Sequence, residues 1–227
     1  MLKWYSWVPR ILQTLAWVPT RLLLAGLCRF QVSGIENLKG LRQAIFAVNH
    51  ASELDPIILT AALSPIGRFS PMFYIVAPEK EFDHERFGWR RHIYFGTFFK
   101  AWGAYPTPMG LRNYARTLAN HVAILQDGGS VCVFPEGGIT PDGTLQRGHG
   151  GVSYLAHVSC IPIVPVYING TYNVDVFAIL HRERTILLRF GAPLSAKDIL
   201  TNTPNPAIED YKNGAQVVMS QIGKLLY

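Results

Sequence analysis

The chain has 227 residues, a length that suits one domain with a sizeable core, or one such domain with a short appendage. Hydrophobic residues make up 49% and charged residues 16% of the sequence, the mean hydropathy is +0.16, and the net charge is +6 at pH 7. These values exclude a protein with many membrane spans, because such a protein would be less polar. The composition is nevertheless more apolar than that of a typical soluble enzyme.

The positive charge is concentrated at the N-terminus. Residues 1–30 contain Lys3, Arg10, Arg21 and Arg29 but no acidic side chain, whereas the rest of the chain holds 17 basic and 15 acidic side chains. A nucleic-acid-binding protein would carry a more uniformly basic surface, so no nucleic-acid partner is expected. A basic and apolar N-terminus instead indicates contact with an anionic membrane surface.

Three kinds of segment have the composition of residues 1–30. A secretory signal peptide is disfavoured, because Arg10 and Arg21 break the apolar region and no small-residue cleavage site follows. A membrane-spanning helix needs about 20 nearly uncharged residues, and the charge-free stretches here end at Arg10, Arg21 and Arg29. The favoured interpretation is a segment that lies in the membrane interface.

Tryptophan and proline indicate the form of this segment. Three of the five tryptophans lie in it, and tryptophan prefers the headgroup boundary of a bilayer. Because Pro9 and Pro19 interrupt helices, we expect two short helices in one leaflet. The alternative is a helix that packs on the protein's own core. The sequence thus predicts a helical membrane-interfacial anchor over residues 1–33, and a protein associated with the cytoplasmic face of a membrane.

Residues 82–105 form a second stretch in which aromatic residues alternate with basic ones. One helix face is predicted by the i, i+3, i+4, i+7 spacing of Phe95, Phe98, Phe99 and Trp102. The sequence leaves open whether this face contacts the membrane or belongs to the hydrophobic core.

After Gly34 the chain alternates apolar runs with helical patterns, which predicts an α/β domain over residues 34–227. The predicted strands are residues 44–49, 72–77, 130–134, 161–168 and 185–190. The predicted helices are residues 56–63, 111–125, 151–158 and 207–226. Since continuous apolar strands suit a sheet covered on both faces, we expect a mostly parallel or mixed sheet flanked by helices.

The three cysteines are an odd number and form no C-x-x-C pair. Cys132 and Cys160 lie in apolar runs, where a free thiol usually acts as a small core residue. The number and spacing of the cysteines predict a protein of a reducing compartment that has no disulfide framework.

The first candidate site motif is Asn49-His50-Ala-Ser-Glu-Leu-Asp55-Pro56, which directly follows a predicted strand. Ligands of open α/β sheets bind at the carboxyl ends of the strands. Histidine is the natural base near neutral pH, and a carboxylate partner can fix its tautomer. On a tight turn between strand and helix, Asp55 can fold back to the His50 ring. A merely structural hydrogen bond is the alternative.

Two further motifs follow later strands. Phe134-Pro135-Glu136-Gly137-Gly138 predicts an irregular turn whose free backbone N–H groups can meet an anion, although a simple surface turn has the same composition. The run Pro-Ile-Val-Pro-Val at residues 162–166 places two prolines in an apolar strand, which indicates an edge strand or a wall.

The order and spacing of the three motifs resemble the glycerolipid acyltransferases, best known from the 1-acylglycerol-3-phosphate acyltransferases. The H-x4-D strand end is followed about 80 residues later by Phe-Pro-Glu-Gly, and about 25 residues further by Pro-Ile-Val-Pro-Val. The resemblance extends from about residue 34 to residue 193. It includes Arg147-Gly148 before a helix and Gly191-Ala192-Pro193 after a late strand.

The resemblance implies a role for each motif. His50 matches the family's general base, which removes the proton of the acceptor hydroxyl, and Asp55 matches the carboxylate that orients this base. Glu136 and Gly137 match the block that helps to hold the acceptor, and we count Gly138 with them as a substrate-binding residue. The family fold is an α/β sheet flanked by helices.

The resemblance also implies the substrates. The acyl donor is acyl-CoA or acyl carrier protein, and the family uses no metal and no other cofactor. The acceptor is a lysophospholipid, in the first place 1-acylglycerol-3-phosphate, which gives phosphatidate in phospholipid biosynthesis. Family members commonly attach to membranes through N-terminal helices, in agreement with the predicted anchor.

The sequence departs from the family where arginines bind the acceptor's phosphate. Ile139 stands at one of these positions and Met109 at the other. We expect Arg112 and Arg147 to replace them if the acceptor is phosphorylated, and Arg116 to be a weaker candidate. The departures leave the reaction class unchanged but leave open a different lysolipid or an acceptor without phosphate.

Three other functions are disfavoured. A serine hydrolase would need G-x-S-x-G, which is missing, since the stretch around Ser153 lacks the final glycine. A zinc hydrolase would need a second histidine after His-Glu at residues 84–85. A catalytically inactive membrane-binding relative remains as an alternative, but the intact His50, Asp55 and Glu136 argue against it.

Overall fold

A computed structural model of the protein describes residues 6–76, 97–107, 113–173, 184–200 and 205–227. Seven strands in these segments form one sheet in the spatial order β1-β7-β6-β2-β5-β3-β4. The strands are β1 (Arg29–Ser33), β2 (Ile45–Val48), β3 (Met72–Val76), β4 (Ala104–Pro106), β5 (Ser130–Val133), β6 (Ile163–Asn169) and β7 (Thr185–Phe190). All neighbouring pairs are parallel except β6 and β7. The predicted α/β class with a mixed sheet flanked by helices is confirmed.

Helices cover both faces of the sheet. They are α1 (Trp7–Leu27), α2 (Asp55–Ala62), α3 (Thr97–Trp102), α4 (Tyr114–Thr117), α5 (Ala119–Gln126), α6 (Gly151–Ser159), α7 (Ala196–Ile199) and α8 (Ile208–Lys224). Phe46 and Val48 point to the core under α1 and α2, whereas Ile45 and Ala47 point to the core under α5, α6 and α8. The period of two along a strand explains this division, and burial on both sides explains the continuous apolar run.

The predicted strands are all present, and two further strands were missed. β1 has an alternating, half-exposed pattern and contains arginine, glutamine and serine, so no apolar run marks it. β4 has only three residues, the last of which is a proline. Both strands lie at the edges of the sheet, where one side of the strand carries no ladder and the sequence is less constrained.

The predicted helix over residues 111–125 is two helices, α4 and α5, which meet at Leu118. Its first two residues lie outside the described segments. The other predicted helices are found within two residues of their expected ends. Cys132 is buried as expected, but Cys160 is exposed, because it ends α6 in a left-handed backbone conformation with φ of 58°.

The motif at residues 162–166 was wrongly assigned to an edge strand or a wall. Its last four residues begin β6, which pairs with β2 on one side and with β7 on the other. The carbonyl of Pro165 accepts a hydrogen bond from Gly191 N–H at 2.8 Å, so its missing N–H faces β7 rather than β2. The ladder with β7 begins only at Val166, and the proline therefore removes no bond from the pairing with β2.

The N-terminal segment differs from the two short helices that were expected. α1 is one helix of 21 residues, because Pro9 lies in its first turn, where no N–H is needed, and Pro19 is accommodated inside it. Residues 29–33, which the sequence assigned to the anchor, form β1 and belong to the sheet. No helix among the described residues combines the length and the apolar character that crossing a bilayer requires.

Polar side chains hold α1 on the domain. The Gln13 amide donates to the carbonyls of Met72 and Trp102, both at 2.8 Å, and its oxygen accepts from Met72 N–H at 2.9 Å. The Trp17 indole N–H donates to Leu63 O at 2.8 Å. Large apolar side chains on the outer side of the helix are exposed, namely Trp7, Val8, Ile11, Leu15, Val18, Leu22 and Leu23. The helix is thus held on the domain by buried Gln13 together with the apolar Pro9 and Leu24, and it exposes a second apolar side outward.

A buried histidine in α5 predicts a pH-dependent stability. His121 is fully buried, its Nε2 lies 3.1 Å from Tyr74 O, and its Nδ1 has no hydrogen-bond partner. Burial lowers the pKa of His121 from 6.5 to about 4, so the folded protein takes up this proton at lower pH than the unfolded chain. The contribution of His121 to the free energy of unfolding is therefore fully present above about pH 6.5. It decreases by about 3 kcal/mol as the pH falls towards 4.

His121→Gln tests this expectation, because glutamine keeps an N–H donor for Tyr74 O and does not titrate. Denaturant unfolding of both proteins should show that the wild type loses more stability than the variant between pH 7 and pH 4. Parallel losses in the two proteins would contradict the assignment.

Candidate active site

The motif after β2 brings His50 and Asp55 together. His50 lies at the carboxyl end of the strand, and Asp55 is the first residue of α2. Nδ1 of His50 lies 3.0 Å from Oδ2 of Asp55, which is the contact that the sequence predicted. The same oxygen accepts the backbone N–H groups of Ala51 at 2.7 Å and Ser52 at 2.8 Å. These bonds fold the loop tightly around a fully buried carboxylate.

This geometry leaves one nitrogen of His50 for chemistry. A carboxylate at Nδ1 favours the tautomer with a proton there, which leaves Nε2 as an acceptor. The same carboxylate stabilises the imidazolium that forms when Nε2 takes a proton. The side chain of His50 is 16% exposed, so a ligand can reach it.

Asn49 fixes the end of β2 to the neighbouring strand. Its side-chain amide donates to Ile168 O at 2.9 Å, and its oxygen accepts from Ile168 N–H at 2.7 Å. This pair continues the ladder between β2 and β6 through a side chain. It sets the point at which the chain leaves the sheet, and therefore the position of His50.

The turn after β5 meets His50, because β5 lies next to β2 in the sheet. The ring of Phe134 stacks on the His50 ring, with centroids 3.9 Å apart and an interplanar angle of 18°. Thr140 N–H donates to His50 O at 2.8 Å. Gly137 has φ of +76° and lies so close to His149 that a Cβ would be 2.8 Å from its ring. A side chain at this glycine would therefore be strained and would collide with His149.

Glu136 points into the protein rather than towards solvent, and it is only 9% exposed. Its Oε1 accepts the backbone N–H of His50 at 3.1 Å, and its Oε2 accepts the N–H of Gln146 at 3.2 Å. Burial raises the pKa of the Glu136 carboxyl, while these two bonds and the neighbouring His50 act in the opposite direction. Both carboxylate oxygens therefore have partners in the protein.

An apolar cavity of about 220 Å³ adjoins His50. Its walls are mainly aliphatic and aromatic, and they include Ile57, Val76, Phe98, Phe99, Trp102 and Ile139. The rings of Phe98 and Trp102 stack with centroids 6.2 Å apart. The part of the predicted aromatic face that the structure describes thus lines this cavity, while Phe95 lies outside the described residues.

A larger groove, of about 940 Å³, shares Ile75 and Phe134 with the apolar cavity. Its lining is more polar and includes Tyr114, His149 and Lys212. The two spaces therefore meet at the aromatic ring that stacks on His50. One offers apolar surface and the other offers polar groups.

The predicted substrate-binding residues are placed differently from one another. Glu136 contacts His50, and Gly137 lines the larger groove, but Gly138 is exposed with no atom within 4 Å of its would-be Cβ. Arg147 is exposed, next to the Gln146 amide that binds Glu136. Arg112 lies outside the described residues, as does Met109.

Three contacts of the site were not expected from the sequence. They are the Phe134 ring on His50, the Glu136 carboxylate on His50 N–H, and Ile139 in the apolar wall. The two contacts with His50 join residues that are more than 80 positions apart, so no local spacing marks them. The one available signal was the position of both motifs at strand ends. Among the described residues, no group of three His, Cys, Asp or Glu side chains is placed to hold a metal ion.

Comparison with known proteins gives a family and a fold. The acyltransferase family model matches residues 29–169, which is more than half of the chain. The fold is similar to the crystal structure of the 1-acyl-sn-glycerophosphate acyltransferase PlsC from Thermotoga maritima, with a TM-score of 0.61. That match has 18% sequence identity and covers 96% of this chain and 81% of the other, so it concerns the fold. Because the family match spans β1 to β6 and includes the residues around His50, the chain belongs to the acyltransferase family.

Proposed function

We propose that the protein transfers a fatty acyl group from acyl-CoA or acyl carrier protein to a hydroxyl of a lysophospholipid. The first candidate acceptor is 1-acylglycerol-3-phosphate, whose product is phosphatidate. The observation that carries this proposal is the His50–Asp55 pair, with 3.0 Å between Nδ1 and Oδ2, beside an apolar cavity. A base that can accept a proton and a space for an alkyl chain lie together, as acyl transfer requires.

The chemistry is a direct transfer in which His50 acts as the base. Nε2 takes the proton of the acceptor hydroxyl while the oxygen forms a bond to the thioester carbon. The carbon–sulfur bond breaks, and the leaving thiolate receives the proton from the imidazolium. Asp55 stabilises the charged ring during these steps, and because the acceptor oxygen is itself the nucleophile, no covalent intermediate with the enzyme is needed. The reaction needs no metal and no further cofactor.

The two spaces beside His50 suit different parts of the substrates. The cavity lined by Phe98, Phe99 and Trp102 suits an acyl chain, because burial of methylene groups is favourable at about 0.8 kcal/mol each. The groove with His149 and Lys212 suits a polar headgroup or the carrier of the acyl donor. On this assignment the thioester lies near Phe134, where the two spaces meet.

Peripheral attachment to a membrane belongs to the same proposal. The outer side of α1 exposes a row of apolar side chains, from Trp7 to Leu23, that a soluble surface would not favour. Arg21 lies beside this row, over the rings of Trp17 and Phe30, whereas Arg10 donates a hydrogen bond to Ser70 O of the domain. An amphipathic helix of this kind binds an interface through apolar burial and attraction to anionic lipids. The cytoplasmic face is the expected side.

Ile139 favours a second candidate acceptor. It stands where related enzymes carry an arginine for phosphate, and its side chain lines the apolar cavity instead. An acceptor whose polar group has no phosphate monoester, or carries a larger headgroup, would fit this wall better. A comparison of acceptors decides between the two candidates, since a phosphate monoester would need arginines from elsewhere in the site.

Arg112 and Arg147 are the proposed replacements, and their loss predicts a change in acceptor binding. Charged hydrogen bonds contribute about 1.5–3 kcal/mol, so Arg112→Ala and Arg147→Ala should each raise the KM for lysophosphatidate roughly tenfold or more. The KM for a phosphate-free lysolipid should be unchanged in both variants.

Acyl-transfer assays with both acceptors measure this difference. Arg42→Ala is the matched control, because Arg42 is an exposed arginine before β2, at the end of the strand away from His50, and its loss should leave both KM values as they are. If neither Arg112→Ala nor Arg147→Ala changes the KM for lysophosphatidate, the replacement idea is wrong. If the wild type uses only the phosphate-free acceptor, the second candidate function is correct.

A further inference from the structure

We infer that Glu136 is a positioning residue for His50 rather than a residue that binds the acceptor. The resemblance to the family assigns this position to the block that holds the acceptor. The structure directs both oxygens of the carboxylate to backbone N–H groups of the protein, one of which belongs to His50. The inference rests on the proposed function in one respect, which is that His50 is the base.

The backbone of His50 is held on both sides by the turn that contains Glu136. Its N–H donates to Glu136 Oε1 at 3.1 Å, and its carbonyl accepts from Thr140 N–H at 2.8 Å. β2 ends at Val48, so the sheet ladder no longer fixes the chain at His50. Beyond the end of β2, hydrogen bonds from the turn that contains Glu136 therefore fix the backbone of His50.

The second oxygen of Glu136 extends this support to the next loop. Gln146 N–H donates to Oε2 at 3.2 Å, and the Gln146 side chain bonds Asp142 and Thr144 within the same loop. His149 N–H donates to Pro135 O at 2.7 Å, which closes the loop on the turn. One carboxylate thus ties together the His50 loop and the loop that leads to α6.

Burial leaves little of this carboxylate for a ligand. Glu136 is 9% exposed, and it lines neither the apolar cavity nor the larger groove, whereas the adjacent Pro135 and Gly137 line the groove. An acceptor hydroxyl or headgroup would have to reach a nearly buried carboxylate whose two oxygens already accept backbone N–H groups.

The charge of Glu136 adds to its positional role. The attraction between His50 and the Glu136 carboxylate favours the ionised acid and opposes the rise in its pKa that burial causes. Asp55 contacts the ring directly, while Glu136 acts through the backbone and the local field. Loss of the two Glu136 hydrogen bonds should therefore change the rate of the chemical step more than the binding of substrate.

Glu136→Gln is the variant that tests this role. Glutamine keeps one acceptor oxygen but presents an NH₂ group to the other backbone N–H, so one of the two bonds becomes a contact between donors. A misplacement of about 1 Å can cost 10²-fold in rate. We expect kcat to fall roughly 10- to 100-fold, while the KM for the acceptor stays within about twofold of the wild-type value.

Asp142→Asn is the matched control in the same loop. Asp142 is exposed and accepts hydrogen bonds from Thr140, Thr144 and Gln146, but not from His50. Its replacement by an amide should leave kcat and KM unchanged. Equal losses of kcat in Asp142→Asn and Glu136→Gln would reduce the effect to general loosening of the loop and would overturn the positioning role.

Hydrogen exchange gives a readout that does not depend on activity. The backbone N–H of His50 should exchange faster in Glu136→Gln and in Glu136→Ala than in the wild type or in Asp142→Asn. An unchanged exchange rate, or a tenfold rise in acceptor KM with kcat retained, would overturn the inference and return Glu136 to acceptor binding. If His50→Ala keeps full activity, the proposed function fails instead, whatever the Glu136 variants do.

Discussion

His50→Ala is expected to lower the rate of acyl transfer by about 10²–10⁴-fold, the usual contribution of a positioned general base. Alanine removes Nε2, the atom that takes the acceptor proton, and leaves Asp55 buried without its ring partner. The outer side of α1 is formed by other residues, so binding to membranes should persist. Initial rates with saturating donor and acceptor, normalised to folded protein, measure the effect.

Asp55→Asn separates orientation from proton transfer. Asparagine keeps the base but removes the negative charge beside Nδ1, so its loss of rate should be smaller than that of His50→Ala. Asp55 also accepts two backbone N–H groups, and unfolding of each variant must therefore be measured to exclude a collapsed loop. If purified His50→Ala turned over at the wild-type rate, His50 would not be the base and the proposed chemistry would be wrong.

Replacing two exposed leucines of α1 is expected to release the protein from vesicles. Leu15 and Leu22 are each 68% exposed, and they lie two turns apart on the outer side of the helix. Transfer of a leucine side chain out of water contributes about 1.5–3 kcal/mol, so Leu15→Ser with Leu22→Ser should weaken binding by roughly 100-fold or more. Sedimentation with vesicles that contain anionic lipid measures the bound fraction.

Deletion of residues 1–30 is a less specific experiment. It would also remove Gln13, which binds Met72 and Trp102, and the first two residues of β1. The control for the double leucine variant is Val217→Ser on α8, because Val217 is a partly exposed apolar residue on the opposite face of the sheet. High salt should weaken binding only in part, since apolar burial adds to the charge term. Unchanged sedimentation of the double variant would shift attachment to another surface.

Part of the site could be predicted from local sequence. The four residues between His50 and Asp55 form a turn between a strand and a helix, and such a turn has few conformations. The contact between their side chains is therefore a local property, and it is present at 3.0 Å. The apolar runs likewise predicted β2, β3, β5, β6 and β7. Burial on both faces explains the continuous runs of β2 and β5, whereas β7 buries every second residue.

The roles of α1 and of β6 depended on what lies beside them. Pro9 and Pro19 suggested two helices, yet one helix forms. Its polar side chains bind the domain and compensate for the helical hydrogen bond that Pro19 cannot make. Pro165 suggested an edge, yet β6 is internal because the missing N–H falls just beyond the ladder with β7. Neither outcome can be derived from the proline alone, since its cost depends on which donor the neighbours need.

By itself, the sequence determined the α/β class, the pairing of His50 with Asp55, and the motifs that mark an acyltransferase. The tertiary structure decided that Glu136 holds the backbone of His50, that Phe134 stacks on its ring, and that Ile139 lines an apolar cavity. The physical reason is sequence separation. Periodicity and turn chemistry act over a few residues, whereas the order of strands in the sheet brings β2 and β5 side by side across more than 80 positions.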